Sequence, residues 1–349
     1  MATACTLNRD PEAGGPVTET ELEESALPTP FLRLVTQTPS PTFSQTSAPT
    51  VTLTATVTPT PDPYAGLTID DLANRDYGEG ELRVVEVLAE NSYFTRYLVA
   101  YPSDGLNIFG FMNVPGGEGP FPVIIAIHGY IDPSIYNTLD YTTGYADALA
   151  RSGFLVIHPN LRGYLPSDDG PNLFRVGMAA DVLNLIGLVK NQGGQTGPLE
   201  KAEPSRIGLW GHSMGGGIST RVMTVSPDVD AVVLYAAMSG DEKKNFERIF
   251  NVFSDGQRGQ EELNTPDEDL ERISPENFLD RVSAAISIHH GTSDSEVPPE
   301  WSQELCERLQ ELDKRVECFT YPGQPHTFFG ENDDLFIRRT VDFFSRELD

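Results

Sequence analysis

Gly211-His212-Ser213-Met214-Gly215 is the segment whose residue types and spacing most directly suggest chemistry. A G-x-S-x-G pentapeptide between the strand-like run RIGLW and the helix-compatible run ISTRVM is the pattern of a strained strand-to-helix turn that lifts a serine clear of the backbone. Glycines are needed there because a Cβ at 211 or 215 would collide with neighbouring strands. A serine hydroxyl is a poor nucleophile near neutral pH, so Ser213 requires a base to take its proton and an acid to orient that base. Where such a turn occurs, the partners follow in the order serine, acid, histidine. His326, in PGQPHTF after the strand-like VECFTY, is the one histidine beyond the late acids and is the expected base; a plain surface-loop histidine is the alternative. Asp294, three residues past the Gly291 that ends AAISIHHG, is the expected acid. Glu296 competes with it, and either could instead cap the helix that starts near Pro298.

The oxyanion formed on attack needs preorganised N–H donors. Met214, the residue after the nucleophile, supplies one. The loop after the first long buried strand, Ile127-His128-Gly129-Tyr130, is placed to supply the other through the Tyr130 N–H. His128 is expected to brace this loop and His212 to pack beneath the elbow. No cofactor and no metal is expected, since acyl transfer through serine needs neither. The adjacent pair His289-His290 would point to opposite faces of a strand.

These residues must be positioned by a sheet. LRVVEVLAE, FTRYLVAY and LNIFGFMNV read as a meander joined by short turns such as Pro102-Ser103-Asp104-Gly105. FPVIIAIHG, FLVIHPN, RIGLWG, AVVLYAAM, AAISIHHG and VECFTYPG then read as mostly parallel buried strands. Helical periodicity lies between them, with Val182, Leu183, Ile186 and Val189 on one face and Trp301, Leu305, Leu309 and Leu312 on another. A closing helix is expected over 335–348. The alternation implies an α/β sheet with crossover helices. Residues 239–283 break the rhythm, and their composition fits a helical insertion or cap over the sheet, against the alternative of a long surface excursion.

Between Thr36 and Pro63 there are ten Thr, six Pro and three Ser in 28 residues, with Asp62 the only charge. That composition cannot offset its ordering entropy. Residues 1–63 are therefore expected to be a disordered stalk, and 64–349 one α/β catalytic domain. Small residues before Cys5 resemble the end of a lipoprotein signal whose apolar stretch would lie upstream of Met1. A cell-surface or extracellular location through a lipidated Cys5 is the expectation, with an incidental cysteine and a cytoplasmic location the alternative. Cys306 and Cys318 would then be free to pair in an oxidising compartment; two buried thiols are the alternative.

The chain carries 52 acidic and 24 basic residues in 349, a formal charge of −28. Such a field repels phosphate backbones and anionic lipid headgroups, so neither nucleic acid nor a membrane surface is an expected partner. No run approaches 18 consecutive apolar residues. The expected partner is a small ester or short peptide substrate.

With FPVIIAIHGY, NLRGYLPSD, AADVLNLIGLV, GHSMGGG, HGTSDSEVPPE and the PHTF loop in view, residues 80–349 resemble the α/β-hydrolase superfamily, and more narrowly the catalytic domain of prolyl oligopeptidase and acylaminoacyl-peptidase-type enzymes. The resemblance implies a mostly parallel central sheet flanked by helices, Ser213 as nucleophile, Asp294 and His326 as its partners, and Met214 and Tyr130 as oxyanion donors. Those peptidases usually carry a large β-propeller that the stalk and short meander cannot hold, and their oxyanion loop often reads His-Gly-Gly where Tyr130 follows His-Gly here. The implied activity is cleavage of esters or small peptides and amides through an acyl-serine intermediate. A carboxylesterase without peptidase activity and a non-catalytic surface binding module are the alternatives.

Overall fold

The structure, a computed structural model, describes residues 62–348. The stalk expected over 1–63, apart from its last two residues, and Cys5 lie outside the described residues. A short helix, α1 (Ile69–Ala73), is closed at its start by a capping box between Thr68 and Asp71. The strands β1 (Arg83–Glu90), β2 (Phe94–Ser103) and β3 (Leu106–Pro115) then form the antiparallel meander. The turn between β2 and β3 is tighter than expected, because β2 continues through Ser103 and the chain reverses over Asp104-Gly105 alone. Both take left-handed φ values, 53° and 82°, which suits a two-residue hairpin between twisted strands.

Strands and helices alternate from there: β4 (Phe121–Ile127), α2 (Thr143–Arg151), β5 (Leu155–Pro159), α3 (Val176–Gln192), β6 (Ala202–His212), α4 (Met214–Val225) and β7 (Ala231–Tyr235). Residues 239–283 form α5 (Glu242–Arg248), a π-helical turn over 249–253, α6 (Gln260–Leu263), α7 (Asp267–Ile273) and a 3-10 segment over 275–281, so the insertion is helical. β8 (Ala285–Gly291), α8 (Pro299–Glu311), β9 (Val316–Tyr321) and α9 (Glu331–Leu348) complete the fold.

Among the described residues the strands make one nine-stranded sheet in the order β1-β2-β3-β5-β4-β6-β7-β8-β9. β4 to β9 run parallel, and β3 joins β5 antiparallel. Alternate residues of each buried strand feed two cores. On β4, Val123, Ile125 and Ile127 face the layer of α1, α3, α4 and α8, while Ile124 and Ala126 face that of α2 and α9. Covering both faces explains why these strands read as continuous apolar runs. The strand order turns back at β4, which has β5 on one side and β6 on the other, so connections leave in opposite directions. A crevice opens there at the carboxyl ends of β4 and β6.

Cys306 on α8 and Cys318 on β9 are joined by a disulfide with 6.5 Å between their Cα atoms, the paired alternative of the two expected. No helix among the described residues is long and apolar enough to cross a membrane.

Candidate active site

Ser213 sits between the last residue of β6 and the first of α4 with φ 55° and ψ −115°. A non-glycine residue there is strained, and it persists only where its surroundings over-determine it. Here the Ser213 N–H donates to Tyr235 O at 2.9 Å, and the Ser213 carbonyl accepts from Gly216, Met238 and Gly217 N–H groups at 3.0, 3.0 and 3.2 Å. The flanking glycines are required, though not both for the expected reason. A Cβ on Gly215 would lie 2.2 Å from Ile127 O of the neighbouring strand β4. A Cβ on Gly211 would instead meet Gly215 O and Ser219 Oγ, both at 2.4 Å, so that glycine makes room for the first turn of α4 rather than for a strand.

Asp294 and His326 come together at the carboxyl ends of β8 and β9: His326 Nδ1–H donates to Asp294 Oδ2 at 2.7 Å. Asp294 Oδ1 accepts from the Glu296 and Val297 N–H groups at 2.8 and 2.9 Å. Burial alone would raise the Asp294 pKa, but hydrogen bonds from His290 and His326 outweigh it and hold the carboxyl well below the usual carboxylate range. Glu296, the rival acid, is mostly exposed, and its Oε2 lies 3.8 Å from His326 Nε2 on the cavity side. α8 begins without a side-chain cap, so neither acid serves that purpose. Ser213 and His326 line the same cavity, with no hydrogen bond between them.

Beneath the elbow, His212 Nε2 lies 3.0 Å from His326 O and must carry the proton, leaving Nδ1 to accept from the Tyr141 hydroxyl. Burial, then the neighbouring His326 ring, push its pKa down to about 3, so the ring is a neutral strut that fixes the backbone of His326. His128, fully buried, lies between Gly129 O and Asn160 O at 2.6 and 2.9 Å and ties the β4 loop to the end of β5.

That loop runs close to the serine. A Cβ on Gly129 would be 2.5 Å from Tyr141 Oη and 3.1 Å from Ser213 Cβ, so only glycine permits the approach. The N–H groups of Met214, at the first position of α4, and of Tyr130 make no main-chain hydrogen bond. The cavity above them measures about 670 Å³ and is lined by Tyr130, Ser213, Met214 and His326 from the sheet loops and by Phe246 and Ile249 from the insertion. Two insertion arginines also reach the site loops. Arg258 donates to Tyr130 Oη at 2.7 Å, and Arg248 donates to Ser295 O at 2.6 Å and to Glu296 O. Among the described residues no group of three or more His, Cys, Asp or Glu is arranged to hold a metal ion.

A family model described as the α/β-hydrolase fold matches residues 122–275, which run from β4 through the elbow into the insertion. The chain has the α/β-hydrolase fold. The chain is 25% identical over 246 residues to the human protein ABHD12B, a match covering 65% of the chain and 61% of the human protein. Its fold is similar to that of acetyl xylan esterase 1 from Thermoanaerobacterium sp. JW/SL YS485, with a TM-score of 0.58 and 19% identity over 80% of this chain and 92% of that one. It is also similar to an acylaminoacyl peptidase from Pyrococcus horikoshii, with a TM-score of 0.57 and 20% identity over 73% of this chain and 42% of the peptidase. The likeness to that peptidase type therefore holds for the hydrolase fold, and no propeller occurs among the described residues.

Four residues at the site escaped sequence reasoning: Tyr141, His290, Arg248 and Arg258. His290 carried a readable signal, since it stands four residues before Asp294 at the end of the same strand. The other three had none, because their partners are 47 to 128 residues away or, for Tyr141, 71.

Proposed function

We propose that the protein is a serine hydrolase that cleaves esters or small peptide and amide bonds through an acyl-Ser213 intermediate. The observation that carries this reading is the 2.7 Å bond between His326 Nδ1 and Asp294 Oδ2 on the wall of the cavity into which the strained Ser213 turn projects. His326 Nε2 takes the Ser213 proton as the hydroxyl attacks the substrate carbonyl, and Asp294 stabilises the imidazolium that results. The Met214 and Tyr130 N–H groups receive the developing oxyanion; one such donor is worth about 10² to 10³ in rate. Collapse expels the leaving group, which takes the proton from His326. Water then repeats the sequence on the acyl-enzyme, with His326 again as base, and regenerates Ser213. The apolar wall supplied by Phe246, Ile249 and Met238 suits an uncharged acyl or side-chain group.

The test is hydrolysis of p-nitrophenyl acetate and butyrate beside aminoacyl and peptidyl p-nitroanilides, with Ser213→Ala as control. Turnover is expected in the parent chain and absent from the variant. Cleavage of esters alone would narrow the reading to a carboxylesterase, and anilide cleavage would extend it to a peptidase. Turnover that survives Ser213→Ala rules out the site assignment.

A further inference from the structure

Asp294 has one more partner than orienting a base requires. Besides the two backbone N–H groups on Oδ1 and His326 on Oδ2, a second imidazole reaches it: His290 Nε2 lies 2.9 Å from Oδ2. The His290 side chain is only 2% exposed. Its Nε2 is also 3.1 Å from Val297 O, so two acceptors converge on that nitrogen and it must carry the proton. The opposite nitrogen, Nδ1, lies 2.6 Å from Ser302 Oγ on α8. Among the described residues that hydroxyl has no other partner, so it donates to Nδ1 and fixes the tautomer that directs Nε2–H at the acid. Sequence separation makes the arrangement compact, since His290 and Asp294 bracket the single turn that ends β8.

We propose that His290 is a positioning residue of this site, a second imidazole that locks the Asp294 carboxylate and takes a share of its charge, thereby setting how strongly Asp294 holds the proton on His326. The inference rests on the acyl-serine reading given above. A carboxylate oxygen that already accepts one N–H offers less charge to another donor. Remove the His290 N–H and the whole charge of Oδ2 faces His326, which favours its imidazolium form. A base kept protonated cannot accept the Ser213 proton. The other groups around His326 are unaffected by the change. Glu296 lies 3.8 Å from Nε2, and Arg248 of α5 donates to the main chain of the acid loop. The His212 ring, 4.7 Å away, stays neutral, and the Tyr235 and Tyr141 hydroxyls, raised by burial, do too.

The experiment is a ring-¹⁵N NMR titration of the full chain with labelled histidine, paired with the pH dependence of kcat/KM for p-nitrophenyl acetate. The chain has six histidines, and His326→Gln assigns the one that matters. His290→Gln keeps an N–H at the position of Nε2; His290→Asn is too short and His290→Leu has no donor. In the Asn and Leu variants the His326 midpoint and the acid limb of kcat/KM are expected to rise together by about 0.5 pH unit or more. That is a roughly 3-fold loss of kcat/KM below the limb. In the Gln variant the midpoint is expected to return toward the parent value. An unmoved midpoint in a folded Asn or Leu variant, or an equal rise in the Gln variant, overturns the proposal. If thermal unfolding shows the Leu variant to be unfolded, the Asn and Gln pair carries the comparison. The NMR midpoint needs no substrate, so the two readings fail separately. Turnover surviving Ser213→Ala sinks the acyl-serine reading, whereas a still midpoint beside a silent Ser213→Ala sinks only the role of His290.

Discussion

Gly129 is a position at which the proposed site leaves little room for change. A Cβ added there would come within 2.5 Å of Tyr141 Oη, and that hydroxyl cannot swing away freely because it donates to His212 Nδ1. It would also stand 3.1 Å from Ser213 Cβ, tighter than ordinary van der Waals contact. The loop must then withdraw, and the Tyr130 N–H withdraws with it. Gly129→Ala is therefore expected to lower kcat for ester hydrolysis by about 10²-fold or more, the loss that follows removal of one oxyanion donor. Gly129 is buried, so the unfolding midpoint in urea is expected to fall too, and kcat is compared where both chains are shown by circular dichroism to be folded. A variant that keeps the parent kcat would show that Tyr130 is not the second donor. The same contact explains why the glycine of His128-Gly129 is needed even though its backbone conformation is open to other residues: the demand is for space, and not for a left-handed φ.

At the level of elements, the disulfide joins α8 to β9 at a sequence separation of 12, and these two elements flank the loops that carry Asp294 and His326. Cross-linking a loop of that size removes about 3 kcal/mol of chain entropy from the unfolded state. Reduction is expected to lower the urea unfolding free energy by about that amount, with mass spectrometry showing two more alkylatable thiols after reductant than before it. Equal stability with and without reductant would mean that the bridge strains the folded chain as much as it restrains the unfolded one. The elements themselves were largely legible beforehand. Fully apolar runs such as FPVIIAI and AVVLY read as two-sided strands because a parallel sheet buries both faces, and the order of strand and helix followed from the change of period. That Ser213 and His326 would share one cavity, with Asp294 bonded to His326, was legible because the proposed chemistry ties such residues to strand ends in a fixed chain order. What distance in sequence separates was not legible: Arg258 meets Tyr130 across 128 residues, and Tyr141 meets His212 across 71. The contact behind Gly211 was misread for a related reason. Its neighbour is the helix that follows in the chain, and sequence pattern does not say how closely that helix folds back.

For the whole molecule, the pH dependence of stability follows from where the histidines lie. Burial lowers the pKa of His128, His158, His212 and His289, and for His212 and His289 it falls from an ordinary 6.5 to about 3. A histidine buried neutral adds nothing to stability above its unfolded pKa. Below 6.5 the unfolded chain binds a proton that the folded chain refuses, so stability falls as pH falls, down to the folded value near 3. Between pH 7 and pH 5 His212 and His289 each cost roughly 2 kcal/mol, about 4 together, and His128 and His158 act in the same direction. The acidic surface does not obscure this window. Although 52 carboxylates against 24 bases leave the chain at −28, most exposed carboxylates stay ionised down to about pH 5. Relief of their mutual repulsion therefore begins only below the range in which the histidines act. Urea unfolding at pH 7, 6 and 5 is expected to give steadily lower free energies. His289 faces Ser287 and Tyr321 through its two nitrogens, away from Asp294, so His289→Gln removes one refused proton without touching the site. That variant should be less stable at pH 7 yet lose about 2 kcal/mol less on going to pH 5. A parent chain whose stability is flat from pH 7 to pH 5 would mean that these rings take up protons in the folded state, and that the neutral strut assigned to His212 is wrong.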